Sequence, residues 1–297
     1  MDSELVATCN CNARCLAGLG SLPLGYSDEV LGPIPEALMF AWGRPLADNR
    51  RLPLVCFQPL KDIAYSDETR AWIMIKIDPL ANPDIDLNGL ARVTYSAVFS
   101  DVCDQLGYRN QTAEPGIVPL AGKGVVIGWA RTVWSRPVEQ PPERHYGTEI
   151  DFLDSLRPGD VTVMNCSERP AAAWGELFST ASVGRGARGA IIDGYIRDRE
   201  KIDALGFPVL GRGCRPTDSL GRVSTQAIDI DIELASVKVS TGDLVVADMD
   251  GVTIVPRAIA EEAINLAIEK ASLEDGARDL LLAGGKMAEV WEKYRVL

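Results

Sequence analysis

An arginine and an aspartate stand side by side at Arg197-Asp198, directly after an apolar segment that is predicted to be a strand. Residues just beyond strand ends are the usual location of ligand sites in α/β proteins. Arginine offers a rigid fork of donors to a keto or enolate oxygen. Aspartate offers oxygen to Mg²⁺, which keeps several waters and takes few protein ligands. The pair therefore indicates a site for a small anion and a divalent cation; the alternative is a surface ion pair with Asp198 as a helix N-cap.

A second anion-binding element is predicted upstream, where Gly175-Glu176-Leu177-Phe178 open a helix after a Pro/Ala loop. The first backbone N–H groups of a helix have no internal partner and carry the positive end of its dipole. Glycine lets a ligand approach them closely, so a small carboxylate would fit there. The alternative is an ordinary helix start, with Glu176 in its favoured first-turn position.

The stretch from Trp174 to Arg215 contains the elements that must position both features. After the helix from Gly175, it is predicted to hold a Gly-rich turn, the strand AIID ending at Gly194, a helix over Asp198–Leu205 and the strand FPVL. The letters GRGARG fit the dinucleotide fingerprint, but they follow a helix and precede a strand, which inverts the required context. We interpret them as a turn, and no P-loop motif is present.

The remaining pattern from about residue 87 onward mixes strands, hairpins and helices, which predicts a layered α/β domain. The expected elements are a helix within residues 87–107, a strand over 124–133 broken at Gly128, a helix over 150–156, a strand after the turn 158–160, one alternating strand within 224–234, two strands around Asp250-Gly251, an amphipathic helix over 258–272 and a last helix within 284–297. Residues 1–87 are Pro-rich and irregular, with one predicted strand at Ala71–Ile77, so we expect an accessory extension there and the main domain over 88–297.

Composition and charge restrict the class of protein. The 297 residues are 46% hydrophobic and 24% charged, as in soluble globular proteins, and the formal net charge is −12. An acidic surface repels phosphate, which disfavours a nucleic-acid partner. No apolar run reaches the roughly 18 residues of a membrane span, and the N-terminus lacks a signal-peptide pattern. We therefore expect a cytoplasmic protein with neither a nucleic-acid nor a membrane partner.

The cysteines and the single histidine offer little catalytic chemistry. An odd number of cysteines suits a reducing compartment better than a disulfide framework: the sequence has Cys9, Cys11, Cys15, Cys56, Cys103, Cys166 and Cys214. The Cys9-Cys11-Cys15 cluster could bind a metal in principle, but no second Cys/His pair at zinc spacing follows it. No nucleophile motif accompanies His145, so we interpret it as a surface loop residue.

Six segments between about Leu87 and the C-terminus carry a resemblance to a known family: SDVCDQLG (100–107), RPGDVTV (157–163), WGELFSTA (174–181), RGARGAIIDGYIRD (185–198), FPVLGRGCRP (207–216) and GDLVVADMDGVTIVP (242–256). In these segments the chain resembles the RraA-like family. That family includes regulators of ribonuclease activity and 4-hydroxy-4-methyl-2-oxoglutarate aldolases, which also decarboxylate oxaloacetate. The resemblance implies a β/β/α swivelling-type domain that assembles as homotrimers or hexamers with sites near subunit contacts.

The resemblance also implies roles for the candidate residues. In the aldolase members Mg²⁺ or Mn²⁺ helps to hold a pyruvate-like group. By position, Asp198 would be the metal ligand, partly through water, and Arg197 would steady the keto or enolate oxygen. The backbone amides of Gly175, Glu176, Leu177 and Phe178 would receive the carboxylate. Breaking a C–C bond beside a carbonyl leaves an enolate, whose charge a metal and an arginine stabilise as it develops.

Two positions depart from the family's aldolase pattern. Glu176 stands where the pattern has a glycine, and Lys201 stands where it has an acidic residue; a lysine there removes a carboxylate and adds a repelling charge. Glu200 and Asp203 flank it but point to other sides of the helix. We expect a metal-dependent lyase, of aldolase or decarboxylase type, for a small 2-oxo acid. A non-catalytic protein-binding regulator, or another enolate-type lyase or dehydratase, remains the alternative.

Overall fold

The computed structural model of the protein describes residues 85–144, 146–166 and 171–296. The predicted strand at Ala71–Ile77, the Cys9-Cys11-Cys15 cluster and His145 lie outside the described residues. Within the described ranges, no helix combines the length and the apolar character that crossing a membrane requires.

The domain is built on a curled mixed sheet. Its strands are β1 Val118–Ala121, β2 Val126–Pro137, β3 Asp160–Cys166, β4 Ala172–Trp174, β5 Gly189–Ile196, β6 Val209–Cys214, β7 Val223–Ile228, β10 Leu244–Ala247 and β11 Val252–Val255. They follow the order β1-β6-β5-β3-β2-β10-β11, and β4 also pairs with β5 and β7 with β2. Strands β2, β3, β5 and β6 run parallel, and β1, β7 and β10 are antiparallel to their neighbours. A separate hairpin pairs β8 Ile232–Leu234 with β9 Val237–Val239.

The helices cover one face of the sheet and the β8–β9 hairpin covers the other, which gives the layered β/β/α arrangement. The helices are α1 Leu87–Val93, α2 Ser96–Gln105, α3 Gly147–Ser155, α4 Glu176–Gly184, α5 Arg199–Leu205, α6 Ala260–Leu282 and α7 Met287–Tyr294, with a 3₁₀ turn at Arg257–Ile259. Alternation along the strands explains the layers, since successive side chains point to opposite faces. In β5, Ile192 packs in the core under the helices, whereas Ile191 packs in the core under the hairpin.

The predicted helix within residues 87–107 is in fact two helices. Thr94 and Tyr95 are extended, with φ of −130° and −155°. The Asp248 carboxylate accepts hydrogen bonds from both the backbone N–H and the hydroxyl of Ser96, at 2.7 Å each. The Asp248 carboxylate therefore caps the N-terminus of α2 from a distant position in the sequence. Helical periodicity does not reveal such a long-range interaction.

Two strand predictions were also wrong in detail. β2 continues through Gly128 without a break. A Cβ at this position would lie 2.5 Å from the carbonyl oxygen of Gly159, so the glycine allows a close approach of the two backbones and does not interrupt the strand. The alternating segment within 224–234 splits into β7 and β8, because Asp229 adopts a left-handed conformation with φ of 55° and pairs with Arg131. The helix predicted over 258–272 begins at Ala260 and continues to Leu282.

The three described cysteines differ in solvent accessibility, and we expect their thiols to differ in reactivity. Cys103 and Cys166 are buried and Cys214 is exposed. Burial, assisted by the Asp104 carboxylate, raises the pKa of the Cys103 thiol to about 11, so it stays protonated and unreactive at pH 8. We expect Cys214→Ser to remove one rapidly reacting thiol from a DTNB titration of the native protein at pH 8. Cys103→Ser should remove none; loss of a fast thiol in that control would contradict the buried placement.

Candidate functional site

The structure brings the Arg-Asp pair and the start of helix α4 together at the carboxyl edge of the parallel strands. Arg197 and Asp198 follow β5 directly, and the backbone N–H of Arg197 donates to the carbonyl of Trp174 at 2.9 Å, which ties the end of β5 to the end of β4. The chain then turns at Gly175 into α4. Two segments that are separate in sequence therefore form one wall at this edge.

Gly175 allows unusually close packing between these segments. Its backbone is extended, with φ of −154°, so its conformation alone does not require glycine. A Cβ at this position would lie 3.0 Å from Asp198 Oδ2 and 3.3 Å from Arg197 Cγ. The backbone N–H of Glu176 points toward Asp198 Oδ2 at 3.4 Å, a long hydrogen bond. Any larger residue would push the Asp198 carboxylate away from the helix start.

The first turn of α4 has free backbone donors. Ser179 donates its N–H to the Gly175 carbonyl at 3.1 Å, but no described residue accepts from the N–H of Leu177 or Phe178. The Leu177 side chain is 75% exposed, so this turn is open to solvent. The Glu176 carboxylate accepts from the Thr180 hydroxyl at 2.8 Å, along its own helix. The α4 start therefore has the orphan donors that an anion needs.

Asp198 is the N-cap of α5, but its side chain makes no capping bond to that helix. Its carbonyl accepts from the N–H groups of Lys201 and Ile202, at 3.0 and 3.1 Å, which holds the first turn of α5. Its carboxylate is instead directed toward α4 and Arg197. The Arg197 Nε lies 3.7 Å from Asp198 Oδ2, and both side chains are a little over a third exposed.

Arg197 has a second acidic partner that the sequence pattern did not indicate. Its Nη1 lies 3.1 Å from Asp218 Oδ1. The Tyr146 hydroxyl donates to the same carboxylate, at 3.2 and 3.3 Å from its two oxygens. A guanidinium has five N–H donors, more than these contacts use, so donors remain for a ligand oxygen. Asp218 and Tyr146 are the residues that sequence reasoning missed at this site, since both come from loops remote in sequence from Arg197.

Aromatic packing joins this acidic cluster to α4. The Phe178 ring packs edge-to-face against Tyr146 and against Trp174, with centroid distances of 6.4 and 5.6 Å. Such pairs stabilise their arrangement beyond simple burial. Burial of Tyr146, together with the negative charge of Asp218, raises the pKa of its phenol above the usual value of 10, so the hydroxyl remains a donor at neutral pH.

Backbone conformation singles out the same two loops. Asp198 and Tyr146 are both left-handed, with φ of 61° and 55°, and only four other described non-glycine residues have positive φ. Sparsely populated conformations persist where surrounding contacts enforce them, and they concentrate at functional sites. At these two positions the Asp198 carboxylate lies beside Arg197, and the Tyr146 hydroxyl lies beside the Asp218 carboxylate that pairs with Arg197.

The donor set at the site fits a cation that keeps most of its water. The described residues contain no group of three His, Cys, Asp or Glu side chains arranged to hold a metal ion. Asp198 Oδ1 accepts no hydrogen bond from the described residues, and the side chain is 39% exposed. One accessible carboxylate beside an anion-binding turn matches Mg²⁺ or Mn²⁺ coordination shared with water and ligand oxygens, and it does not match a closed all-protein zinc site.

The two positions that depart from the aldolase pattern lie in the first turns of the two helices that flank the Arg197-Asp198 pair. Lys201 is exposed in the first turn of α5, and its backbone bonds to Asp198. Glu176 lies in the first turn of α4, and its carboxylate accepts a hydrogen bond from the Thr180 hydroxyl. Among the described residues, neither position completes a group of three His, Cys, Asp or Glu side chains around Asp198 that could hold a metal ion.

Fold and site together define a layered α/β protein in which a helix start with unpaired backbone amides meets an Arg-Asp pair at the carboxyl edge of the parallel strands. The profile of the RraA-like family, described as Aldolase/RraA, matches residues 99–254. Because this match covers more than half of the sequence, the chain belongs to the RraA-like family.

Individual relatives agree on the fold and carry different names. A protein of Halalkalibacterium halodurans named "Putative 4-hydroxy-4-methyl-2-oxoglutarate aldolase" is 29% identical over 213 residues, covering 70% of this chain and 94% of the relative. Streptomyces coelicolor RraAS2, described as an unusual member of the RNase ES inhibitor RraA protein family, superposes with a TM-score of 0.58 at 28% identity, covering 66% of this chain and 98% of that one. A crystal structure described as novel cellulases from gut-associated microbes gives a TM-score of 0.61 at 28% identity, covering 66% and 90%. The same fold therefore carries different names, and the chemistry depends on the residues at the site.

Proposed function

We propose that this chain is a divalent-metal-dependent carbon–carbon lyase of aldolase or decarboxylase type, acting on a small 2-oxo acid. The observation that carries the proposal is the contact between the α4 start and the Arg197-Asp198 pair, which is so close that a Cβ on Gly175 would lie 3.0 Å from Asp198 Oδ2. A helix start with unpaired amides, a guanidinium and a metal-competent carboxylate thus lie in contact with one another. The aldolase name of the Halalkalibacterium halodurans relative supports this reaction class.

Each residue at the proposed site has a separate role in binding the substrate or stabilising the developing charge. The free amides of Leu177 and Phe178 receive the substrate carboxylate. Asp198 holds the cation, which supplies Lewis-acid polarisation of the carbonyl oxygen when it is bound. Arg197 donates to the same oxygen, where negative charge accumulates as the neighbouring C–C bond breaks. The Tyr146–Phe178–Trp174 packing fixes these groups relative to one another, so little reorganisation is needed during the reaction.

Ligand-dependent stability provides a direct test. We expect Mg²⁺ or Mn²⁺ with oxalate, which has the size and charge of a pyruvate enolate, to raise Tm more than either component alone. At about 100 times Kd the gain is about 2.7 kcal/mol. Differential scanning fluorimetry measures the effect, with acetate as the control anion and EDTA as the metal-free control. An unchanged Tm with metal and oxalate together would contradict the proposal, as would 2-oxo acid turnover that survives EDTA.

A non-catalytic regulator is the second candidate, favoured by Lys201 and by the absence, among the described residues, of a group of three His, Cys, Asp or Glu side chains that could hold a metal ion. The family to which Streptomyces coelicolor RraAS2 is assigned is named for RNase ES inhibition. A regulator would show neither the joint stabilisation by metal and oxalate nor turnover. For either function we propose a cytoplasmic homo-oligomer, a trimer or hexamer, as the family resemblance implies.

A further inference from the structure

The acidic surroundings of Arg197 suggest how binding is ordered at the proposed site. Arg197 lies between two carboxylates, with Nε 3.7 Å from Asp198 and Nη1 3.1 Å from Asp218. These three side chains carry one positive and two negative charges, a net charge of −1. A 2-oxo acid is itself an anion, so without a cation it meets a site of its own sign.

We propose that Asp218 is a positioning residue that makes anion binding at Arg197 conditional on a bound divalent cation. This inference rests on the proposed function. A divalent cation at Asp198 turns the net charge of the three groups from −1 to +1, and the anion is then attracted rather than repelled. Asp218 has two effects: it fixes the Arg197 guanidinium by an ion pair, and it cancels the charge that would otherwise capture anions unaided.

Tyr146, which is uncharged, modulates the effective negative charge of the Asp218 carboxylate. Its hydroxyl donates to both oxygens of Asp218, and its ring is held by Phe178. Donation to a carboxylate partly compensates its negative charge. Removing the hydroxyl therefore makes Asp218 act as a stronger negative charge, whereas amidating Asp218 removes that charge. The two changes have opposite effects on anion binding in the absence of metal.

Other charged groups near the cluster are more exposed or already engaged. Arg222 donates its Nη1 to the backbone carbonyl of Asp218 at 3.1 Å. Arg222 is exposed, and so are Arg215, Lys201 and Glu200, so solvent screens the charges of these four residues. Arg215 also contacts Thr217 through Nε at 3.3 Å, and the Glu176 carboxylate accepts from Thr180. The net charge close to Arg197 is therefore set mainly by Asp198 and Asp218.

The experiment measures the coupling between metal and oxalate by calorimetric titration of the full chain, with and without Mg²⁺. The coupling is the ratio of the two oxalate affinities. We expect Asp218→Asn to reduce this ratio about tenfold, chiefly by strengthening metal-free binding. We expect Tyr146→Phe to increase it about twofold to threefold, and Asp218→Glu to restore a value close to that of the wild type.

Each outcome distinguishes the inference from the proposed function. Wild-type protein that binds no oxalate even with Mg²⁺ would refute the proposed function, and the inference with it. Wild-type coupling that Asp218→Asn leaves unchanged would overturn the inference alone. If Asp218 had a purely structural role, Asp218→Asn and Tyr146→Phe would both disturb the site in the same sense. A coupling ratio that moves in the same direction in these two variants would therefore also overturn the inference. If Asp218→Asn does not fold, as judged by circular dichroism, the rise in Tyr146→Phe decides the matter.

Discussion

Asp198→Asn is expected to reduce kcat/KM for cleavage of a 2-oxo acid by about a thousandfold or more. The substitution keeps the size of the side chain but removes the charge that holds the cation. Loss of one group that stabilises the developing oxyanion typically costs about 10²–10³ in rate, and loss of the cation adds the Lewis-acid contribution. The nearby Asp218 carboxylate is engaged by Arg197 Nη1 at 3.1 Å, and the described residues contain no group of three His, Cys, Asp or Glu side chains that could hold the cation instead.

The measurement is steady-state release of pyruvate from a panel that includes oxaloacetate and 4-hydroxy-2-oxo acids, at several Mg²⁺ and Mn²⁺ concentrations. Glu200→Gln is the matched control, because it removes an exposed carboxylate two residues away and no other described residue is bonded to it. The control should retain activity within about twofold, as surface changes usually do. Asp198→Asn activity within tenfold of the wild type would rule out Asp198 as the metal ligand.

Arg131→Met should cause the largest loss of stability in the domain. The Arg131 side chain is 3% exposed, and it donates to Asp160 at 3.2 Å and in a bidentate manner to Asp229 at 2.7 and 2.8 Å. Its Nη1 and Nη2 also donate to the carbonyl and hydroxyl of Ser155. Burial alone would lower the pKa of the guanidinium, but the bonds and charges of Asp229 and Asp160 outweigh it and raise the pKa.

Removing this guanidinium leaves two carboxylates without their cation. Breaking a buried pair in this way costs about 3–5 kcal/mol, which in a domain of this size lowers Tm by about 6–20 °C. Thermal and urea unfolding measure the change. Arg144→Met is the matched control, because Arg144 and Asp151 form a bidentate pair that is exposed to solvent. The control should show no measurable change; equal losses in both variants would mean that Arg131 contributes no more than a surface ion pair.

The sequence by itself determined the elements around the site and the family. The helix starting after Gly175, the turn over Gly184–Gly189 and the helix following Asp198 were all predicted correctly in kind. Such features depend on hydrogen bonds and side-chain alternation within a few residues, which periodicity and turn residues encode directly. The strand AIID was predicted to end at Gly194, but β5 continues to Ile196 through the residues that were predicted to be a turn. The roles assigned to Gly175, Arg197 and Asp198 remain predictions.

Only the tertiary structure decided which charged groups meet. Besides its sequence neighbour Asp198, Arg197 pairs with Asp218 and, through it, with Tyr146. Arg131 is paired with Asp229 across nearly a hundred residues. The same long-range contacts divide the first predicted helix at Ser96 and the alternating strand at Asp229. No local pattern specifies these pairs, because an isolated Arg or Asp is equally compatible with solvent. Their choice follows from burial, which makes an unpaired charge costly and so selects one packing arrangement over others.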